Sequence, residues 1–129
     1  MKLSRFKVNT KSFSFYFHYK RISKDLSNYF AKIIDGGVYK KIKHQHNVQL
    51  IIDVGANFGS ASIFFSLNYP NATILSMEPV SESYEILELN TKNFQNIVCY
   101  KYAVTDTIGT SDIFILRPRT SMAFSIILS

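Results

Sequence analysis

Residues 49–59 read Gln-Leu-Ile-Ile-Asp-Val-Gly-Ala-Asn-Phe-Gly, and this stretch decides the fold. Its first six residues are almost continuously apolar, which is typical of a strand buried on both faces of a parallel sheet. Gly55 and Gly59 then allow the chain to turn tightly and to approach a ligand closely. A helix is predicted to follow and to end before Pro70. The helix residues expected to face the core are Ala61, Phe64, Phe65 and Leu67.

Three further strands and a further helix follow this stretch. Residues 72–77 form an apolar second strand that ends in Glu78-Pro79, and Ser81 can cap a helix that runs to about Asn93. Residues 97–104 read as a third strand, and residues 113–116 as a short strand that pairs antiparallel. The alternation of strands and helices predicts an α/β fold with a mostly parallel sheet and right-handed crossovers.

Ahead of the decisive stretch, residues 12–19 alternate as a strand does, with aromatic side chains on one face. Those side chains are Phe13, Phe15, Phe17 and Tyr19. They could stack on nucleic-acid bases, but an aromatic strand packed on a core is the favoured interpretation. A helix with Ser23 as its N-cap and Gly36-Gly37 as its stop is predicted next. Its apolar face comprises Leu26, Tyr29, Phe30, Ile33 and Ile34. Val38, Tyr39 and Ile42 are expected to continue a short helical turn.

Charge divides the 129-residue chain into two regions. Residues 1–47 carry 11 Lys and Arg against 2 Asp, a net charge of +9, whereas residues 48–129 carry 4 against 7 acids, a net charge of −3. We therefore expect a basic strand and helix extension over 1–47 and an α/β unit over 48–129. The basic region could contact phosphate or nucleic acid, but a solvated lysine-rich face is favoured, and nucleic acid is an unlikely partner.

Composition excludes several other classes. Hydrophobic residues make up 47% and charged residues 19%, which is a globular composition. No apolar run approaches the roughly 20 residues of a membrane helix, and no signal peptide is recognisable, so a cytoplasmic location is expected. Cys99 has no disulfide partner and is expected to pack in the core. His44 and His46 have no visible third ligand, so no metal site is predicted.

The three predicted strand ends together describe an adenosine pocket. Parallel sheets bind ligands outside the carboxyl ends of their strands. The glycine turn follows the first strand. Glu78, at the end of the second, can accept hydrogen bonds from both hydroxyls of a ribose. Ala103 and Val104, at the end of the third, can line an adenine ring.

A dinucleotide site is the competing interpretation. Its fingerprint is Gly-x-Gly-x-x-Gly, but here Asn57 stands at the second glycine and the spacing is Gly55-x-x-x-Gly59. Asp53 places a negative charge beside the loop, which suits an ammonium group better than a pyrophosphate. The amino-acid end of S-adenosylmethionine carries such a group. No Gly-Lys-Ser/Thr is present, so a P-loop is excluded.

Residues 51–60, Ile-Ile-Asp-Val-Gly-Ala-Asn-Phe-Gly-Ser, resemble the first motif of the FkbM-type methyltransferases, and Ser76-Met77-Glu78-Pro79 is similar to the second. Residues 103–106 followed by Gly109 resemble the segment after that family's third strand, and the resemblance covers about residues 28–116. It implies a Rossmann-like class I methyltransferase fold, S-adenosylmethionine as cofactor and methyl transfer to a hydroxyl of a small molecule or sugar. The cofactor-binding residues it implies are Asp53, Gly55, Ala56, Asn57 and Gly59 around the methionine end, Glu78 at the ribose and Ala103 near adenine.

The chain departs from that family after Leu116. The family continues into a fourth strand with an Asp-x-Glu-Gly-type motif, which this sequence lacks. We therefore expect a fold that is incomplete in its C-terminal half, as in a truncated member, with no catalytic base assigned. The first strand would keep an unpaired edge through which the chain could associate. A non-catalytic adenosine-binding or interaction remnant is the alternative, so whether the chain is an enzyme stays open.

Overall fold

The computed structural model describes residues 2–21, 25–39, 47–116 and 125–128. Strands and helices alternate in the central part, as the sequence predicts. The elements in chain order are β1 (Leu3–Asn9), β2 (Ser14–Lys20), α1 (Ser27–Ile34), β3 (Leu50–Val54), α2 (Ser60–Asn68), β4 (Thr73–Met77), α3 (Ser81–Thr91), β5 (Ile97–Tyr100), β6 (Ile113–Leu116) and β7 (Ser125–Leu128).

The central sheet has three parallel strands in the order β3-β4-β5. Helices α2 and α3 pack on the same face of it. The Ser62 hydroxyl of α2 lies 2.7 Å from that of Ser76 on β4, and Thr91 of α3 lies 3.3 Å from the sulfur of Cys99 on β5. The predicted α/β architecture with a parallel sheet is confirmed, and it is compatible with a Rossmann-like fold.

The prediction that β3 is buried on both faces is wrong. Leu50, Ile52 and Val54 are 55%, 54% and 60% exposed, whereas Ile51 and Asp53 on the other face are half-buried. Both crossover helices run over the Ile51 face, and within the described ranges no helix covers the opposite face. An apolar run therefore signals a strand without showing that both of its faces are covered.

The predicted helices exist, but several details differ. Helix α2 buries Ser62, Ile63 and Ser66 with Phe64, whereas Ala61, Phe65 and Leu67 are only half-buried. Ser62 faces the strands, where its hydroxyl is bonded to Asp53 and Ser76, whereas the rings of Phe64 and Phe65 pack against Tyr39. Ser81 is the first residue of α3 and not its cap. The N-cap is Val80, which makes no side-chain capping bond, and the helix ends at Thr91.

Strand β5 ends at Tyr100, four residues earlier than predicted, and residues 101–112 form no regular element. Beyond them, β6 pairs antiparallel with β7 in a separate two-stranded sheet. The antiparallel strand over 113–116 is confirmed. Its partner, Ser125–Leu128, falls in the apolar tail for which the sequence shows no pattern.

The aromatic strand pairs with β1 in an antiparallel hairpin that was not predicted. Phe17 and Tyr19 are buried, which confirms that the aromatic face packs on a core, although Phe13 at the tip is 46% exposed. The Phe17 ring lies 5.3 Å from Phe30 of α1, which in turn lies 5.6 Å from Phe58. The hairpin, α1 and the α/β unit therefore share one hydrophobic core.

Helix α1 buries Phe30, Ile33 and Ile34 as predicted, but Tyr29 is 51% exposed. The Tyr29 ring packs against Phe30 at a centroid distance of 5.4 Å and leaves the rest of its surface in solvent. Gly36 follows it with a φ of +84°, which confirms the predicted stop. Val38 and Tyr39 lie in a bend and not in a helical turn. Four residues named in the sequence analysis lie outside the described residues. They are the predicted cap Ser23, Ile42 of the predicted helical turn, and the two histidines at 44 and 46.

Polar contacts also join the hairpin to α3. The Lys20 ammonium lies 2.8 Å from both carboxylate oxygens of Glu82, and His18 of β2 is bonded to Asn90. A division of the chain at residue 47 stays a prediction. In the part of the chain that the structure describes, no helix has the length and apolar character to cross a membrane.

Candidate functional site

The loop that follows β3 folds across the end of β4. The amides of Gly55 and Ala56 both donate to the Met77 carbonyl at 2.9 Å. Three residues after Ala56, the Gly59 amide donates to the Ala56 carbonyl, also at 2.9 Å, and closes a tight turn. We call residues 55–59 the glycine loop. It lies at the carboxyl edge of the sheet, where parallel α/β folds bind their ligands.

Three residues of the glycine loop have positive φ: Gly55 at +75°, Asn57 at +51° and Gly59 at +93°. Asparagine is one of the few residues besides glycine that tolerate this region. A Cβ at Gly59 would lie 2.8 Å from a Leu87 methyl carbon, so α3 packs directly against the loop. A Cβ at Gly55 would meet nothing within 4 Å, so that side of the loop is open to a ligand.

Glu78 links the end of β4 to the glycine loop. Its side chain is only 5% exposed. One carboxylate oxygen accepts the Asn57 amide at 2.9 Å, and the other accepts the Val80 amide at 2.9 Å. A carboxylate oxygen can accept more than one hydrogen bond, so hydroxyl groups of a ligand could still bind both oxygens.

Burial raises the pKa of Glu78, because the charged form loses hydration. The hydrogen bonds from the Val80 and Asn57 amides oppose this shift, and the negative charge of Asp53 adds to it. The carboxylate is therefore held in place by two backbone donors in a poorly hydrated position, which is a costly arrangement for a purely structural acid.

Asp53 belongs to a polar cluster beneath α2. The Ser62 hydroxyl donates to the Asp53 carboxylate at 2.5 Å and lies 2.7 Å from the Ser76 hydroxyl. Burial raises the pKa of Asp53, and hydrogen bonds from the Ser62 hydroxyl and amide oppose that shift. Asp53 thus shares the carboxyl edge with Glu78, but its partners are in the protein core.

Some of the predicted site residues are in direct contact, whereas others only share the same edge of the sheet. The Asn57 amide donates to Glu78 directly. The amides of Gly55 and Ala56 donate to the carbonyl of Met77, the residue before Glu78. Ala103 is half-buried in the irregular segment beyond β5. It follows a strand parallel to β4, and the Glu78 amide donates to the Tyr100 carbonyl at 3.0 Å, so both segments leave the sheet at one edge.

Sequence reasoning missed the polar side chains behind the loop. Ser62, Ser76 and Asn90 are all buried and hydrogen-bonded. Only the serines left a signal, since Ser62 stands beside the apolar residues of a helix that packs on the sheet and Ser76 stands between the apolar residues of a strand. Among the described residues, no group of three potential metal ligands occurs.

Comparison with known proteins gives partial support for a methyltransferase. No family model matches the chain. The chain is 34% identical over 79 residues to the methyltransferase sdnD of Sordaria araneosa. That alignment takes in 54% of this chain and 30% of sdnD, so the chain spans less than a third of the length of that relative. The chain is therefore similar, over part of its length, to a methyltransferase, and the FkbM type stays a prediction.

Proposed function

We propose that residues 48–116 form the cofactor-binding half of a Rossmann-like class I methyltransferase that uses S-adenosylmethionine. The observation that carries this proposal is the buried carboxylate of Glu78, which binds the Asn57 amide and thereby joins the glycine loop to the end of β4. The partial similarity to a methyltransferase supports the same conclusion. The FkbM type, suggested by the two sequence motifs, is part of the proposal.

The residues present fit such a cofactor. The open side of Gly55 leaves room for a ligand against the backbone, and the turn exposes no bulky side chain there. In this proposal the glycine loop, residues 55–59, lies along the methionine end. Glu78 accepts hydrogen bonds from the ribose hydroxyls, Ala103 lies beside adenine, and Asp53 contributes negative charge towards the ammonium group.

The bound cofactor would supply a methyl group on a sulfonium, which an acceptor oxygen attacks in line. The contribution of this chain is to bind and orient that group, since positioning two reactants removes much of the entropic barrier. The acceptor we propose is a hydroxyl of a small molecule or sugar. We assign no catalytic base among the described residues.

The proposal is tested by calorimetric titration of the purified chain with S-adenosylhomocysteine, comparing wild type with Glu78→Ala. We expect saturable binding by wild type and about 10- to 100-fold weaker binding by the variant, the change expected when hydrogen bonds to a charged group are lost. Glu85→Ala is the matched control, because Glu85 is an exposed acid on the same helix that follows Glu78.

Circular dichroism should show that all three proteins are folded before binding is compared. A folded wild type that does not bind S-adenosylhomocysteine would contradict the proposal, and a remnant that has lost the cofactor function would then be the better interpretation. Equal weakening by Glu78→Ala and Glu85→Ala would remove Glu78 from the proposed site.

A further inference from the structure

Asn90, near the end of α3, is 4% exposed and uses its whole amide in hydrogen bonds. Its Nδ2 donates to the carbonyls of His18 and Phe58, both at 2.8 Å. Its Oδ1 accepts the His18 amide at 2.7 Å and lies 3.3 Å from the His18 ring nitrogen Nδ1. Two donors and two acceptor positions are the full capacity of an asparagine side chain.

These bonds connect two parts of the fold that are far apart in sequence. The His18 amide and carbonyl lie on the edge of β2 that β1 does not occupy, and the Asn90 amide pairs with them as a neighbouring peptide group would. Phe58 lies inside the glycine loop and directly follows Asn57, whose amide donates to Glu78. Asn90 therefore links the edge of the hairpin to the back of the loop.

The glycine loop is held from both sides. On its sheet side, the Asn57 amide is bonded to Glu78, and on its helix side, the Phe58 carbonyl is bonded to Asn90. Asn57 has a positive φ of +51°, a conformation that is unfavourable for most residues unless its surroundings maintain it. Losing the Asn90 bond would leave a buried carbonyl without that donor and free the loop to rearrange.

We propose that Asn90 is a positioning residue, which holds the glycine loop in its ligand-binding conformation and makes that conformation depend on the docked β1–β2 hairpin. This inference deepens the proposed function and rests on it for the identity of the ligand. The positioning itself is a property of the chain without ligand, so it has a test of its own.

The test is amide hydrogen exchange, followed by NMR in the ligand-free chain. Asn90→Ala is expected to speed exchange of the Asn57 amide by about tenfold relative to a reporter in α1, the Phe30 amide, as expected for one lost buried hydrogen bond. The reporter corrects for a general loss of stability, since a global change would speed both amides alike.

Two control variants accompany it. His18→Ala removes the ring but leaves both backbone groups that bind Asn90, so it should leave Asn57 exchange unchanged relative to Phe30. Ile74→Val removes one methylene from a fully buried side chain of β4, outside both the hairpin and the loop, and should speed both amides alike. If Asn90→Ala also speeds both amides alike, Asn90 is merely structural and the inference is wrong.

Titration with S-adenosylhomocysteine completes the test. Asn90→Ala should bind about tenfold more weakly than Ile74→Val, compared at a temperature where both are folded. Equal affinities would overturn the link between loop position and binding. If wild type fails to bind while Asn57 exchange responds selectively to Asn90→Ala, the proposed function fails and the positioning role stands.

Discussion

At the scale of single residues, the site combines a buried carboxylate, Glu78, with a half-buried one, Asp53, and the two differ in their surroundings. Glu78 is held by backbone amides, whereas Asp53 is held by a serine hydroxyl that lies against a second serine. Burial raises the pKa of both groups above the ordinary value. Ionisation of either carboxyl group at neutral pH therefore lowers the free energy of unfolding, and this agrees with the ligand-binding role that we propose for them.

The variant Asp53→Asn tests how much stability the charged Asp53 carboxylate costs at neutral pH. A carboxyl whose pKa is raised by folding binds more protons in the folded state, so its contribution to stability increases as pH falls through the raised pKa. Asparagine cannot titrate, and the Ser62–Ser76 pair can reverse its donor direction to suit it. We expect the variant to melt at a higher temperature than wild type at pH 7, with the difference shrinking towards pH 4.

Thermal melts followed by circular dichroism between about pH 4 and 8 measure that difference. Asp112→Asn, the same change at an exposed position, is the control and should show a much smaller effect. A difference between Asp53→Asn and wild type that is independent of pH would show that the carboxylate is not the source of the cost.

At the scale of elements, α3 supports the glycine loop from behind. A Cβ at Gly59 would lie 2.8 Å from a Leu87 methyl carbon and 3.2 Å from the Thr91 methyl carbon, so a side chain there would have to displace Leu87. Gly55, at the other end of the loop, has a similarly positive φ but faces open space. The two glycines therefore have different physical reasons for being glycine.

Alanine at each position separates these reasons. Gly55→Ala should lower the free energy of unfolding by about 1–2 kcal/mol, the cost of a left-handed conformation for an L-residue. Gly59→Ala should lower the free energy of unfolding by roughly 1–3 kcal/mol more than Gly55→Ala does, because the new methyl group also overlaps Leu87. Urea denaturation measures both values. Equal costs would mean that α3 moves away from the loop without penalty.

At the scale of the whole molecule, the parallel sheet has two unlike faces. One face lies under α2 and α3. The other presents exposed apolar side chains from its two outer strands, namely Leu50, Ile52, Val54, Val98 and Tyr100. Within the described ranges, β3 pairs with β4 alone, so one edge of the sheet also keeps free backbone groups. Apolar patches rimmed by polar groups are typical of contact surfaces.

We expect this face to bind hydrophobic dyes and to promote self-association. Leu50→Thr combined with Ile52→Thr should lower dye fluorescence and the associated fraction in sedimentation velocity, because threonine keeps strand propensity while adding a hydroxyl. Val38→Thr, at an exposed position in a bend away from the sheet, should change neither. Unchanged association in the double variant would show that the face stays free in solution.

The order of the elements from β2 to β6 and the residues of the loop were determined by the sequence itself. The spacing of apolar residues predicts strands such as 72–77. Local backbone preferences predict the helix stop at Gly36 and the glycine turn. Glu78 could be placed at the carboxyl edge because parallel strands align their ends. Asn57 could be placed in the loop because it stands where a glycine was expected.

Only the tertiary structure decided which faces are covered and which distant groups meet. Ile52 is exposed because both crossover helices pack on the opposite face of the sheet. The same run of apolar residues would occur if helices covered both faces. The bonds from Asn90 to His18 and Phe58 join segments that no short window of sequence contains. Local patterns encode propensity, whereas these contacts depend on the packing of the whole chain.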